Sequence, residues 1–301
     1  MNTVVVGVDQ SSFAADALRW AIQYAAPHDK AVTAIMAWSH PGNNGADRAR
    51  AELASYGEAR LELDRIVEHC LGGQDFEVTR CVVRGMPAAE LIAASRDASL
   101  VVVGARGLGG FDGLLLGSVS RNVLNGSHSA VAVVRPPELH DDGPIVIGVD
   151  GSPASRAALR WALDDACVRP RRVVGIYAWE RHAADGGRHA AGYLDEATLS
   201  RRAETLLNRE LEQAVSAIVD ESLTARLEQG GAAGILVAAS ASASLLVVGS
   251  RDHNPLAEPL LGSVSDQVAH HACSPVVFVP PALCHDDRHP LHRHRTNHVL
   301  P

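Results

Sequence analysis

The chain of 301 residues holds a single lysine, Lys30, and that scarcity excludes whole classes of chemistry. A P-loop ends in Gly-Lys-Ser/Thr and a Schiff base needs an amine, so neither a Walker-type NTPase nor a lysine-imine enzyme can be built elsewhere on this sequence. Cysteine is sparse as well. Cys70, Cys81, Cys167, Cys273 and Cys284 are odd in number and show no Cys-x-x-Cys spacing, which predicts buried thiols of a reducing compartment rather than a disulfide framework or zinc site. Positive charge is in deficit, and a net charge of −8 argues against nucleic acid as a partner. No apolar run reaches the ~18 residues that span a bilayer. Met1-Asn2-Thr3 leads into an apolar strand with no basic n-region, so the expectation is a soluble, cytoplasmic protein.

What is present is a strand, a glycine loop and a helix start. Leu100-Val101-Val102-Val103 reads as a buried strand that ends in Gly104-Ala105-Arg106-Gly107, followed after nine residues by Gly117-Ser118-Val119-Ser120. Glycines there let a ligand reach the backbone amides, and a helix N-terminus attracts anions. The combination points to a bound nucleotide. It occurs twice. Leu245 to Gly249 is followed, after the same interval, by Gly262-Ser263-Val264-Ser265, and Val5-Val6-Gly7-Val8-Asp9 recurs 141 residues later as Val146-Ile147-Gly148-Val149-Asp150. A period of that length means a duplicated domain, not a solenoid.

Strands are predicted near 3–9, 31–38, 76–83, 99–104 and 130–135, alternating with helices near 12–26, 47–71, 87–97 and 118–126. The second half repeats the strands near 144–150, 172–179, 223–228, 244–249 and 275–279. This alternation predicts an α/β fold of two doubly wound parallel sheets. The first domain is placed at 1–138 and the second at 139–281, joined by a polar linker across Pro136 to Pro144. A glycine- and histidine-bearing loop is expected at His182 to Gly192 and a disordered, histidine-rich tail at 282–301.

Ligands of open parallel sheets lie at the carboxyl ends of the strands, where the winding reverses. Asp9 and Gly104 should converge there, with Asp150 and Gly249 their counterparts. Asp9 can accept from a ribose hydroxyl or an adenine amine, or merely brace its own turn. Ser118 and Ser120 can donate to phosphate, Arg106 and Arg121 can supply countercharge, and the backbones of Ala37 and Ala178 can meet an adenine edge. Trp20, Trp38, Trp161 and Trp179 read as core or domain-contact residues. Neighbouring His270 and His271 point apart on a helix, so no defined metal site is expected, and no catalytic triad emerges. Asp112 lies inside the glycine loop without an evident partner.

With these residues in hand, the chain resembles the tandem universal stress proteins of actinobacteria over about residues 1 to 281. Gly104, Gly107, Gly117 and Ser118 meet that family's ATP signature G-2x-G-9x-G-[S/T] in full, supported by Gly85-Met86-Pro87 and by Gly113 through Ser120. The resemblance implies Rossmann-like sheets of order 3-2-1-4-5, packed as an intramolecular pseudo-dimer, with a homodimer left open. It implies binding of ATP, often with Mg2+, at Asp9, Gly104, Gly107, Gly117 and Ser118, and at Asp150, Gly249, Gly262 and Ser263. It also implies a stress-response regulator or sensor with an unidentified protein partner. The alternatives are a weak ATP hydrolase or phosphotransferase and a nucleotide-independent scaffold. Two departures stand out: Gln10 where glycine is common, and Asp252 in place of the second loop glycine of the second half. Asp252 leads to the expectation that the first half binds ATP better. The apolar last strands, Val131 to Val134 and Val276 to Val279, are expected to seal each other.

Overall fold

The computed structural model describes residues 2–38, 48–108, 115–136, 142–180, 196–215, 223–250 and 262–281. The first half runs β1 (Thr3–Gly7), α1 (Ser12–Ala25), β2 (Ala31–Trp38), α2 (Arg48–Leu71), β3 (Val78–Arg84), α3 (Pro87–Ala94), β4 (Leu100–Gly104), α4 (Ser118–Gly126) and β5 (Ala130–Val134). The second half repeats this as β6 (Ile145–Gly148), α5 (Pro153–Val168), β7 (Val173–Trp179), α6 (Glu196–Val215), β8 (Leu223–Gln229), α7 (Ala232–Ser240), β9 (Leu245–Gly249), α8 (Ser263–His271) and β10 (Val276–Val279).

All ten strands form one sheet in the order β3-β2-β1-β4-β5-β10-β9-β6-β7-β8. Each half therefore has the 3-2-1-4-5 order. Pairing is parallel within each half and antiparallel only between β5 and β10, where Val276 faces Val133 and Phe278 faces Val131. The two last strands thus seal each other, as their apolar composition predicts. Strands covered on both faces must be apolar at every position, which is why β4 and β5 are buried throughout. Along β1 the side chains alternate: Val4 and Val6 join the core under α1 and α2, while Val5 joins the core that holds Leu91 of α3.

Several boundaries fall short of the sequence expectation, and those of β1 and α3 do so for local reasons. Val8 N still donates to Ile35 O, but Asp9 Oδ1 then accepts from Ser11 N at 2.9 Å and turns the chain out of β1. Ser11 Oγ in turn accepts from Ala14 N, capping α1. At the end of α3, Ser95 donates to Ile92 O and accepts from His128 N, so the chain is tied down at residue 95 rather than 97.

A polar cluster also crosses between the halves. Asp165 of α5 accepts from Arg169 through both oxygens, at 2.8 and 2.7 Å, and its Oδ1 lies 3.1 Å from His28 Nε2 of the first half. His28 Nδ1 donates to Tyr24 O at 2.6 Å, which fixes the ring. Tyr24 stacks on His28, on Trp20 and on Trp161 of the other half, so two of the tryptophans meet through one tyrosine. Burial, reinforced by the Asp165 charge, pushes the Tyr24 phenol far above its usual range. Burial would also raise Asp165, but His28 and Arg169 outweigh it and hold the carboxyl below the ordinary range.

Candidate functional site

The sheet brings the sequence motifs together at the carboxyl ends of β6, β7 and β9. There the second half encloses a cavity of about 420 Å³, within the range of small-molecule sites. Its floor is apolar, with Ile176, Leu236 and Val248, and its rim carries Asp150, Ser152 and Ser263. Ala178, Gly249, Gly262, Val264 and Ser265, each singled out from sequence, line it as well.

Local chemistry explains each position. Gly249 ends β9 directly under α5: a Cβ there would lie 2.6 Å from the Ala154 carbonyl carbon. Gly104 stands in the same relation to α1, with Phe13 O 2.7 Å from its missing Cβ. These glycines let the first helix of each half rest on the strand that carries the loop. Gly151, at φ +77°, follows Asp150 into the α5 cap, where Ser152 Oγ accepts from Ser155 N. Arg156 donates to Gly151 O and to both oxygens of Glu210, bracing that turn from α6.

Gly117 and Gly262 cap α4 and α8 with extended backbones and no side-chain cap, so the first-turn amides of both helices are left without a covering side chain. Ser118 and Ser263 are exposed beside them. Ser120 and Ser265 act differently. Ser120 Oγ donates to Gly104 O at 2.6 Å and Ser265 Oγ to Gly249 O at 3.2 Å, which spends the hydroxyl proton expected to meet a phosphate. They lock the helix to the strand end instead. Val119 and Val264 pack against the core, and Val264 also lines the cavity.

Ala37 and Ala178 still pair with β3 and β8 but lie two residues beyond the last partners of their strands in β1 and β6. The β1 pairing with β2 stops at Gly7 and Ile35, and Val8 N donates to Ile35 O, whereas Trp38 O accepts from Gly85 on the β3 side. Strand alternation then turns the Ala37 backbone toward β1, past its last partner. The second half repeats this with Val149 to Ile176 O and Gly230 to Trp179 O. Both alanines present backbone groups suited to a heterocycle edge.

In the first half Asp9 converges on the glycine loop, its Oδ2 accepting from Leu108 N at 3.1 Å. Arg106 lies over the Phe13 ring, 4.6 Å from its centroid, and Arg121 is exposed. Sequence reasoning overlooked Phe13; its signal is the alanine, Ala154, at the same place in the repeat. Asp112, Gly113, Asp252, the segment His182 to Gly192, most of the Pro136 to Pro144 linker and the tail from 282 lie outside the described residues. Among the described residues no helix is long and apolar enough to cross a membrane.

Comparison with known proteins agrees with this architecture. The family model for the universal stress protein family matches residues 1–135 and again 143–280. A universal stress protein of Mycolicibacterium smegmatis is 32% identical over 289 residues, covering 92% of this chain and 97% of that protein. Universal stress protein Rv1996 of Mycobacterium tuberculosis is 28% identical over 300 residues, covering 91% and 93%. Among solved structures, a universal stress protein from Archaeoglobus fulgidus superposes with a TM-score of 0.68 at 20% identity, over 93% of this chain and 98% of that one, a likeness of fold. The chain belongs to the universal stress protein family and carries two tandem copies of its domain.

Proposed function

We propose that this protein is a nucleotide-dependent regulator that binds ATP at the carboxyl edge of its sheet and does not turn it over as a dedicated enzyme. The observation that carries the reading is the second-half cavity. It joins an apolar floor, a free strand-edge backbone at Ala178, the Asp150 carboxylate and the uncapped start of α8, the sequence of surfaces that a base, a ribose and a phosphate chain require. Ser263 supplies a hydroxyl beside the α8 amides, and Asp150 is placed for a ribose hydroxyl.

The donor set suits magnesium only as a companion of phosphate. Among the described residues no group of three His, Cys, Asp or Glu side chains gathers to hold a metal. Mg2+ is commonly held by substrate phosphates with one or two carboxylates, and Asp150 is the carboxylate on this rim. Bound there, the ion would neutralise the phosphates. The described residues of the cavity rim offer no lysine clamp and no second carboxylate of the kind phosphoryl transfer uses, which favours a binding role.

Mass spectrometry of the protein as purified should find an adenine nucleotide, and Mg-ATP at a hundredfold over Kd should stabilise the fold by about 2.7 kcal/mol. Absence of any bound nucleotide together with no thermal shift at millimolar ATP would refute the reading. Turnover at ~1 to 100 per second would replace the regulator with an enzyme.

A further inference from the structure

Duplication left the two halves with corresponding helices whose outer faces differ in charge. α2 and α6 match at an offset of 144 residues, with Leu63 and Leu207 buried at the same position of the core. On α6, Thr198, Arg201, Arg202, Thr205 and Arg209 line a surface groove of about 470 Å³, with Leu206 at its side. Intervals of three and four residues place them on one stripe, with neighbouring side chains about 5 to 6 Å apart. The three arginines are exposed. Glu204, the one acid between Thr198 and Arg209, does not line the groove.

The corresponding positions of α2 are Gly57, Glu58, Leu61, Glu62 and Arg65. A carboxylate stands in place of Arg202, and Arg65 spends its guanidinium on Glu62 through two bonds, of 3.0 and 2.6 Å. On α6 the balance is reversed. Glu210, 1% exposed, is shared by Arg209 at 3.1 Å and Arg156 at 2.6 Å, so that group keeps a surplus positive charge. Each guanidinium offers a planar fork that matches a carboxylate.

The rest of the chain narrows the choice of partner. A net charge of −8 opposes long polyanions such as nucleic acid, whose field extends past the stripe. A lipid surface is gripped by exposed leucine, phenylalanine or tryptophan, and the described residues of α6 expose none of them. A short acidic segment meets only the local field, because salt screens charges beyond about 8 Å. Arg202 and Arg209 stand about 10.5 Å apart along the helix axis. That distance matches acids seven residues apart on a second helix, and falls between one and two strides of about 6.6 Å along an extended chain.

We propose that the outer face of α6 is a docking site for an acidic helical segment of a partner protein, with carboxylates meeting Arg201, Arg202 and Arg209. The α2 face lacks the site, so each chain offers one. Neither cleft needs an occupant for this, and it stands apart from the nucleotide reading.

Fluorescence anisotropy tests it, with the full chain and a labelled alanine-rich helix that carries glutamates at three- and four-residue intervals. One peptide should bind per chain, less tightly as salt is raised. Arg201→Glu with Arg202→Glu should weaken binding by about 10-fold or more, while the exposure of both residues leaves the melting temperature within a few degrees. The first half provides a gain-of-function arm. A Cβ at Gly57 meets no atom within 4 Å, so α2 can accept Gly57→Arg, Glu58→Arg, Leu61→Thr and Glu62→Leu together, which should raise the stoichiometry to two. Absence of binding at about 1 mM peptide in low salt, equal binding of a glutamine version of the peptide, or an unchanged affinity in the double reversal would overturn the proposal. So would a folded α2 variant that still binds a single peptide. Binding to phosphatidylserine vesicles without affinity for the peptide would overturn it in favour of a lipid surface.

Discussion

Asp165→Ala strikes a buried carboxylate that ties the two halves together. Its side chain is 1% exposed, and its partners Arg169 and His28 are 18% and 8% exposed, so water cannot readily replace the lost acceptor. Removing one member of such a pair leaves the guanidinium and the imidazole without their carboxylate, a loss of about 3 to 5 kcal/mol. At about 2 to 4 °C per kcal/mol for a protein of this size class, the melting temperature should fall by about 6 to 20 °C. Asp165→Asn keeps an oxygen for Arg169 but no charge, and should lose less. The dependence on pH has a definite sign. Because His28 and Arg169 hold the Asp165 carboxyl below its ordinary value, its contribution is complete above the unfolded value near ~3.9. It disappears as pH falls through the lower folded value. Urea titrations at pH 7 and pH 3 should therefore show a large gap between the unmodified protein and Asp165→Asn at pH 7, and a smaller one at pH 3. A loss under about 1 kcal/mol for Asp165→Ala at pH 7, or a gap that widens on acidification, would refute the reasoning.

Two further outcomes are expected. Val133→Pro removes a backbone donor from the β5–β10 seam opposite Val276 and should cost about 3 kcal/mol or more, destabilising both halves in a single transition followed by tryptophan fluorescence; unfolding of the first half alone would contradict a shared core. Gly249→Ala drives a methyl into the Ala154 backbone and should destabilise by about 1 to 3 kcal/mol while weakening Mg-ATP binding, as read by thermal shift with and without ligand.

The strands and the winding were legible because every β-branched run is bounded by glycine or a polar turn, and because the halves repeat. The seam was legible too, since Val131 to Val134 and Val276 to Val279 carry nothing that would protect a free edge. The direction of a hydroxyl was not. Nothing in Gly-Ser-Val-Ser tells that Ser118 faces outward while Ser120 turns back to Gly104 O, because that depends on where β4 ends relative to α4. The His28 and Asp165 contact was equally hidden, as its members lie in different halves and meet only once β5 pairs with β10. A hint existed: Asp165 falls on the buried stripe of α5 with Ala158, Ala162 and Ala166, where a carboxylate needs a partner. Phe13 was passed over because an aromatic residue beside a helix start reads as ordinary core until the loop is seen to fold over it.

The cluster at the seam also bears on how the duplicated halves recognise each other. Positions 24 and 28 of the first copy correspond to 165 and 169 of the second, so the pseudo-twofold sets Tyr24 and His28 against Asp165 and Arg169. A true twofold axis permits no such arrangement, since each residue must then meet its own copy or the partner of that copy. Two first halves would bring two tyrosine-histidine pairs together with no carboxylate between them. Two second halves would oppose two Asp165–Arg169 pairs and forgo the stacked ring and the imidazole. Divergence after duplication has thus given the joint a His28–Asp165 contact and a shared aromatic stack that neither pairing of like copies would reproduce.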